Sequence, residues 1–198
     1  PEAGGGSITA LPIIETQAGD LSAYIPTNVI SITDGQIFLE SSLFFEGQRP
    51  AVNVGLSVSR VGGAAQTKAM KKAAGSIRID LAQFREMEVF TQFASDLDNA
   101  TKEQLQHGHV LMELLKQPLC RPLSMAEQVM TLCAANGRVM LDVPVDHVKD
   151  FQMQFLSYMK EQHSDIVRQL ETTKALDDEL NKQICDAAEE FKKEFLQK

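Results

Sequence analysis

The pattern of apolar and polar positions divides the chain into two unlike parts, with the change near Gln66. Before it, apolar runs at residues 8–15, 36–40 and 51–59 are bounded by proline and glycine, which is typical of short buried strands. Residues 28–35 fit a strand by their β-branched content and a short helical turn by their capping residues, and both remain open. Buried strands joined by turns and helices predict the trailing part of a mostly parallel sheet.

After Gln66 the apolar residues recur with a helical period. This predicts helices over residues 64–94, 101–116 and 125–136, a long helix from about residue 146 to 170, and a last one over 176–195. Ser124 and Glu127 form a capping box, and Thr101 with Gln104 forms a possible second one. The predicted fold is therefore an α/β region over residues 1–66, followed by an all-α bundle over residues 67–198.

Composition narrows the class of protein. Of 198 residues, 43% are hydrophobic and 23% charged, as in a globular protein, and no apolar run is long enough to span a membrane. The net charge of −8 argues against nucleic acid as a partner. Three widely spaced cysteines without ligand histidines indicate reduced thiols and no metal site.

Several candidate sites are better explained by ordinary structure. The sequence Gly4-Gly5-Gly6-Ser7 lacks the lysine of a phosphate loop, so the chain alone is expected not to hydrolyse ATP. His107 and His109 would point about 200° apart on a helix, so they cannot share a metal ion, and surface positions are predicted for both. Asp96 and Asp98 flank a helix break, where Asp98 can cap the next helix and partner contact is the alternative.

Arg60 is the strongest candidate for chemistry. It follows the predicted strand 51–59 directly, and ligands of open α/β sheets bind beyond the carboxyl ends of strands. Gly62 and Gly63 are predicted as a hinge before a helix, leaving room for a second chain or a phosphate. An arginine reaching another chain's active site is therefore a plausible interpretation, against the plainer one of an ion pair with a carboxylate of this chain.

Two blocks of sequence resemble the α subunits of F-type ATP synthases. The first covers residues 4–66, including the runs 11–20 and 24–37 and the Arg60 segment, and the second joins residues 92–98 with 113–117. The resemblance implies the end of a RecA-like nucleotide-binding domain followed by a C-terminal helical domain. It also implies that this chain corresponds to roughly two fifths of such a subunit, with the phosphate loop and the Mg²⁺ ligands outside it.

The resemblance further implies roles for individual residues. Arg60, with Ser31 and Val58 beside it, would serve the catalytic site of a neighbouring β subunit as an arginine finger. The adenine end of a non-catalytic ATP or ADP site would be lined by Phe44, Arg49, Pro50 and Gln117. Leu119 stands where many family members have glutamine, which affects the polar part of that adenine contact.

Implied partners are the β subunits of an alternating hexamer, the rotating γ shaft and the δ subunit of the peripheral stalk. Asp96 and Asp98 would lie near the γ shaft. The implied location is peripheral, on the cytoplasmic face of a bacterial membrane or on an organellar inner or thylakoid membrane. Two other hypotheses remain: a subunit of another RecA-like hexameric motor, such as a flagellar export ATPase, and a helical interaction module without a nucleotide role.

Overall fold

The computed structural model describes residues 4–6, 8–91 and 98–197. Its first region contains short elements only: a 3-10 turn at Gln17–Gly19, then α1 (Tyr24–Ile32), β1 (Gly35–Gln36), α2 (Ser41–Phe45), β2 (Val58–Ser59) and α3 (Arg60–Ala65). The ambiguous segment 28–35 is thus mainly helical. Thr33 ends that helix, with both its amide and its hydroxyl donating to the carbonyl of Val29.

The predicted parallel sheet is wrong for the part of the chain that the structure describes. β1 and β2 pair antiparallel, with Gly35 opposite Ser59 and Gln36 opposite Val58, and a single bridge joins Leu39 to Val52. Described residues 8–15 form no strand, and residues 54–56 form a turn inside the predicted strand 51–59. A strand needs neighbouring backbone donors and acceptors, and the pattern of apolar residues cannot tell whether a neighbour is present.

The described part of the second region consists of helices joined by turns and loops. Its elements are α4 (Lys68–Ala73), α5 (Ile77–Thr91), α6 (Asn99–Leu115), α7 (Met125–Asn136), 3-10 turns at Val139–Asp142 and Val145–His147, α8 (Val148–Gln162), α9 (Ser164–Thr173) and α10 (Asp178–Phe195). The capping box of Ser124 and Glu127 is confirmed. Asp98, rather than Thr101, caps α6 by accepting a hydrogen bond from the Thr101 amide at 3.0 Å.

Two predicted helices are divided. The stretch from residue 64 contains α3, α4 and α5, because Gln66 leaves the helical conformation and the Thr67 hydroxyl caps a new helix at the Met70 amide. The long helix breaks at His163, which separates α8 from α9. The apolar period continues across that break, so the hydrophobic pattern does not reveal it.

One hydrophobic core joins the helices of the second region. Buried side chains from α4 to α10 meet there, among them Leu81, Leu111, Val129, Met140, Phe151, Phe155, Met159, Leu170 and Ile184. Gly108 lies where α6 packs on α5: a Cβ atom at this position would come within 2.1 Å of the Phe84 ring. Glycine is unfavourable inside a helix, but here it is required because α5 and α6 approach each other closely.

Both ends of the helical region meet. The amide of Ala69 in α4 donates to the carbonyl of Lys174, which lies between α9 and α10, at 3.0 Å. Nearby, the Lys72 ammonium contacts the Asp178 carboxylate at 2.6 Å. These two contacts therefore hold α4, the first helix of the second region, against the segment that begins α10.

Candidate functional site

Arg60 is held by its backbone at the junction of β2 and α3. Its amide donates to the Asp34 carbonyl at 3.0 Å, next to the β1–β2 pairing. Ser59 caps α3 by accepting from the Gly62 amide at 2.7 Å. The helix therefore begins at Arg60 itself, and Gly62 and Gly63 lie inside it instead of forming the expected hinge.

The side chain of Arg60 is mostly free. Its Nη2 atom lies 3.2 Å from Asp34 Oδ1 and 3.4 Å from the Thr33 carbonyl, and both charged side chains are more than 70% exposed (74% and 72%). The contact uses one carboxylate oxygen, so it is not the bidentate pair that fixes a structural arginine. Exposed pairs of this kind contribute about 0–1 kcal/mol, so the guanidinium can leave Asp34 at little cost.

The other two residues expected beside Arg60, Val58 and Ser31, lie in β2 and α1. Val58 pairs with Gln36 in the short sheet. Ser31 is in the last turn of α1, where its hydroxyl donates to the Asn28 carbonyl at 2.7 Å, and Thr33 follows two residues later. Asp34 was predicted only as part of a turn, and sequence reasoning missed its contact with Arg60.

Three of the four residues expected around an adenine ring form a connected cluster. The Arg49 guanidinium lies over the Phe44 ring, 4.5 Å from its centroid, in a cation–π arrangement. The Gln117 amide, at the end of α6, donates to the Arg49 carbonyl at 2.8 Å. Pro50 follows Arg49 through a cis peptide bond. Residues 73 positions apart are thus brought to one place (117 − 44).

A cavity of about 600 Å³ opens beside this cluster. Arg49 and Gln117 line it, whereas Phe44 and Pro50 are not among its lining residues. Most of the wall is apolar and comes from α6, α7 and α8. Lys149 and Gln152, both on α8, line its interior. Burial lowers the pKa of Lys149, an effect that Glu113 opposes by its charge.

The remaining candidates have structural explanations. His107 is buried, contrary to the predicted surface position, and lies 3.9 Å from Asp80, while His109 is exposed and contacts the Phe84 ring. Hydrogen bonds from Thr101 hold the pKa of Asp98 below its ordinary value. Asp96 lies outside the described residues. Within residues 4–6, 8–91 and 98–197, no three His, Cys, Asp or Glu side chains could hold a metal ion.

No helix in the described part of the chain is both long and apolar enough to cross a bilayer.

Comparison with protein families gives two matches. Residues 2–59 match the nucleotide-binding domain of the ATP synthase alpha/beta family, and residues 66–191 match the C-terminal domain of ATP synthase alpha/beta chains.

Individual relatives agree with these matches. The chain is 59% identical over 188 residues to the ATP synthase subunit alpha of Petrotoga mobilis, covering 95% of this chain and 37% of the relative. It is 56% identical to the alpha subunits of Clostridium kluyveri and Lawsonia intracellularis, covering 98% of this chain and 38% of each relative. The chain thus spans less than two fifths of the length of these relatives. It belongs to the ATP synthase alpha/beta family and corresponds within that family to part of an alpha subunit.

Proposed function

We propose that the chain acts within the non-catalytic α subunit of a proton-translocating rotary ATP synthase. In this proposal residues 1–66 complete a RecA-like nucleotide-binding domain and residues 67–198 form the C-terminal helical domain. The chain contributes to ATP synthesis and hydrolysis by supplying Arg60 in trans to the catalytic site of a neighbouring β subunit. Ser31 and Val58 form the surface around that arginine.

The exposed guanidinium of Arg60 carries this proposal. Its backbone is anchored by the Asp34 carbonyl and the Ser59 cap, while its side chain has two exposed contacts, with one Asp34 oxygen and with the Thr33 carbonyl. An arginine finger requires a fixed backbone and an available planar guanidinium, because the guanidinium must contact the charge that develops on a transferring phosphoryl group. The Asp34 contact provides a resting position that a phosphate can displace.

Replacing Arg60 in the assembled complex tests this role. Arg60→Lys keeps the charge but loses the planar fork, so we expect multi-site ATP turnover to fall by about 10³–10⁵-fold. Assembly and ground-state nucleotide binding should change little, because the finger acts mainly in the transition state. Arg78→Lys is the matched control: Arg78 is another exposed arginine, donating to the Gly55 carbonyl at 3.0 Å. Wild-type turnover in the assembled Arg60→Lys complex would make Arg60 a scaffold residue.

The Phe44–Arg49–Gln117 cluster supports a second role for the same subunit. We propose that these residues and Pro50 line the adenine end of a non-catalytic ATP or ADP site. Mg²⁺ and the phosphates are held by parts of the subunit outside this sequence. The ring of Phe44 is half-exposed and already carries a stacked cation, so one of its faces is prepared for a flat ligand.

Nucleotide retention on the assembled complex tests the adenine site. Loss of aromatic stacking on a base costs about 1–3 kcal/mol, so Phe44→Ala should weaken non-catalytic ADP binding by about 5–150-fold. Phe45→Ala is the control, because Phe45 neighbours Phe44 in α2 and is exposed. Equal ADP retention in both variants would contradict the assignment.

The remaining partners follow from the same proposal. The subunit alternates with β subunits in a hexamer, and Asp96 and Asp98 lie near the γ shaft. The peripheral-stalk δ subunit is the third partner, and the membrane is reached only through the complex. We place the complex on the cytoplasmic face of a bacterial membrane, with an organellar inner or thylakoid membrane as the alternative, and expect no nucleic-acid partner.

A further inference from the structure

The cavity beside Arg49 has an interior that the proposed nucleotide site does not use. Its volume of about 600 Å³ lies within the range of ligand-binding pockets. Leucine and isoleucine side chains from α5, α6, α7 and α8 make much of the apolar part of its wall, including Ile77, Leu111, Leu114, Leu132 and Leu156. Such a wall favours a ligand with an apolar body.

A line of polar groups crosses this apolar interior. The Lys149 ammonium donates to the Leu114 carbonyl and to Gln152 Oε1, both at 3.0 Å. The amide nitrogen of Gln152 in turn donates to the Thr131 hydroxyl at 3.4 Å. Gln152 and Thr131 are buried, and all four residues line the cavity. The line joins α6, α7 and α8, so the Lys149 ammonium is positioned by three helices.

This ammonium has no carboxylate partner within salt-bridge distance among the residues that the structure describes. Glu113, the anionic residue that acts on Lys149, is engaged by Lys116. An ammonium has three donors, and two of them are used by the Leu114 carbonyl and Gln152. The third donor and the positive charge remain available, and a half-buried charge is costly unless it is paired.

Most of the charged residues around the cavity are cationic. Among the described residues, Arg49, Lys116, Arg121 and Lys149 line it, against one acidic lining residue, Glu113. This cationic lining contrasts with the net charge of −8 of the whole chain. An anionic ligand is therefore favoured over a neutral or cationic one.

We propose that this cavity binds a small amphipathic monocarboxylate, with its apolar body against the leucine wall and its carboxylate on Lys149. A monocarboxylate matches the one spare donor of the Lys149 ammonium, and its apolar body matches the leucine side chains of the wall. The site extends beyond the proposed adenine contact: Phe44 and Pro50 do not line it, whereas Arg49 and Gln117 belong to both. The two sites are therefore neighbours that share these two residues.

Binding of decanoate to the assembled complex that contains this subunit tests the proposal, with decanol as the uncharged probe. We expect saturable binding of one decanoate per copy of this chain, and at least tenfold weaker binding of decanol. Lys149→Gln should weaken decanoate binding at least tenfold, whereas Lys149→Arg, which keeps the charge, should retain it within about threefold. Lys160→Gln is the matched control, because Lys160 is on the same helix but pairs with Glu127 outside the cavity.

Three results would overturn the proposal. Equal affinities for decanol and decanoate would remove the role of the charge, and this comparison needs no variant to fold. Undiminished binding by Lys149→Gln would place the ligand elsewhere. Displacement of decanoate by ADP, with loss of both in Phe44→Ala, would show that the probe occupies the nucleotide site. Failure of the Arg60 or Phe44 experiments would leave this result unaffected, because neither residue lines the cavity.

Discussion

The two regions of the molecule use similar apolar residues with opposite results. In residues 8–66, isoleucine and leucine side chains stand in solvent, with Ile8 98% and Ile13 96% exposed. In the described part of residues 67–197, many large apolar side chains are buried in one core that α4 to α10 build together. The first region has strand-like sequence without an extended sheet, and the second has helical sequence in helices.

The difference lies in where each kind of element obtains its partners. A helix satisfies its own backbone and needs only a neighbour for one face, and α4 to α10 supply those neighbours to one another. A strand needs hydrogen-bonding partners on its edges and cover on its faces. An exposed apolar surface like that of residues 8–45 is typical of one that other protein surfaces cover.

Truncating one apolar residue in each region gives the largest predicted contrast. Phe155→Ala should lower the free energy of unfolding by about 3–5 kcal/mol, because Phe155 is fully buried among Phe151 and Phe191. Ile13→Ala should change it by less than about 0.5 kcal/mol. Urea unfolding followed by circular dichroism measures both. A large effect of Ile13→Ala would show that the first region is packed in solution.

Adding one methyl group sharpens the comparison at a smaller scale. Gly108→Ala brings a Cβ within 2.1 Å of the buried Phe84 ring, so overpacking of about 1–3 kcal/mol should exceed the roughly 1 kcal/mol gain in helix propensity. The added Cβ of Gly63→Ala in α3 meets no atom within 4 Å, so only the gain in helix propensity remains. The same unfolding measurement should show a lower free energy of unfolding for Gly108→Ala and a higher one for Gly63→Ala. Stabilisation by Gly108→Ala would mean that α5 and α6 separate easily.

The smallest predicted effect concerns pH. Burial lowers the pKa of His107 below its ordinary value of 6.5, and the nearby Asp80 charge opposes the shift while Arg138 adds to it. The unfolded state therefore binds the proton more tightly, so this histidine reduces stability as the pH falls below 6.5. His107→Gln should make the stability less dependent on pH between about 7 and 5. A pH slope unchanged from that of the original protein would rule out His107 as a contributor.

Residue patterns alone predicted the second region better than the first. The 3.6-residue period located the helices, and capping chemistry at Ser124 and Asp98 fixed two of their starts. The break at His163 was not predicted, because the apolar residues Phe155, Met159, Ile166 and Leu170 keep one helical period across it. The predictions of continuous strands at residues 8–15 and 51–59 were wrong, because strand formation depends on pairing with residues that are distant in the sequence.

For the candidate site, the sequence indicated individual residues well, but it did not indicate which side chains contact them or which of them line a cavity. The adjacency of Arg60 to a strand end was predictable, and the connection of Phe44, Arg49 and Gln117 came from resemblance. The Asp34 contact and the Lys149 cavity were missed. Helical spacing gives the face of a side chain but not the depth of the space beyond it, so an ammonium lining a cavity has the same pattern as one in water.

The hydrogen bond between Ala69 and Lys174 has a consequence for the order in which the molecule forms. Its two residues are separated by 105 positions (174 − 69), so the first helix of the bundle cannot complete its contacts until nearly all of the described chain exists. At a synthesis rate of about 5–20 residues per second, α4 leaves the ribosome roughly 5–20 seconds before its partner. During that interval the apolar face of α4, including the otherwise fully buried Ala69, lacks its final partner and depends on provisional contacts or chaperones.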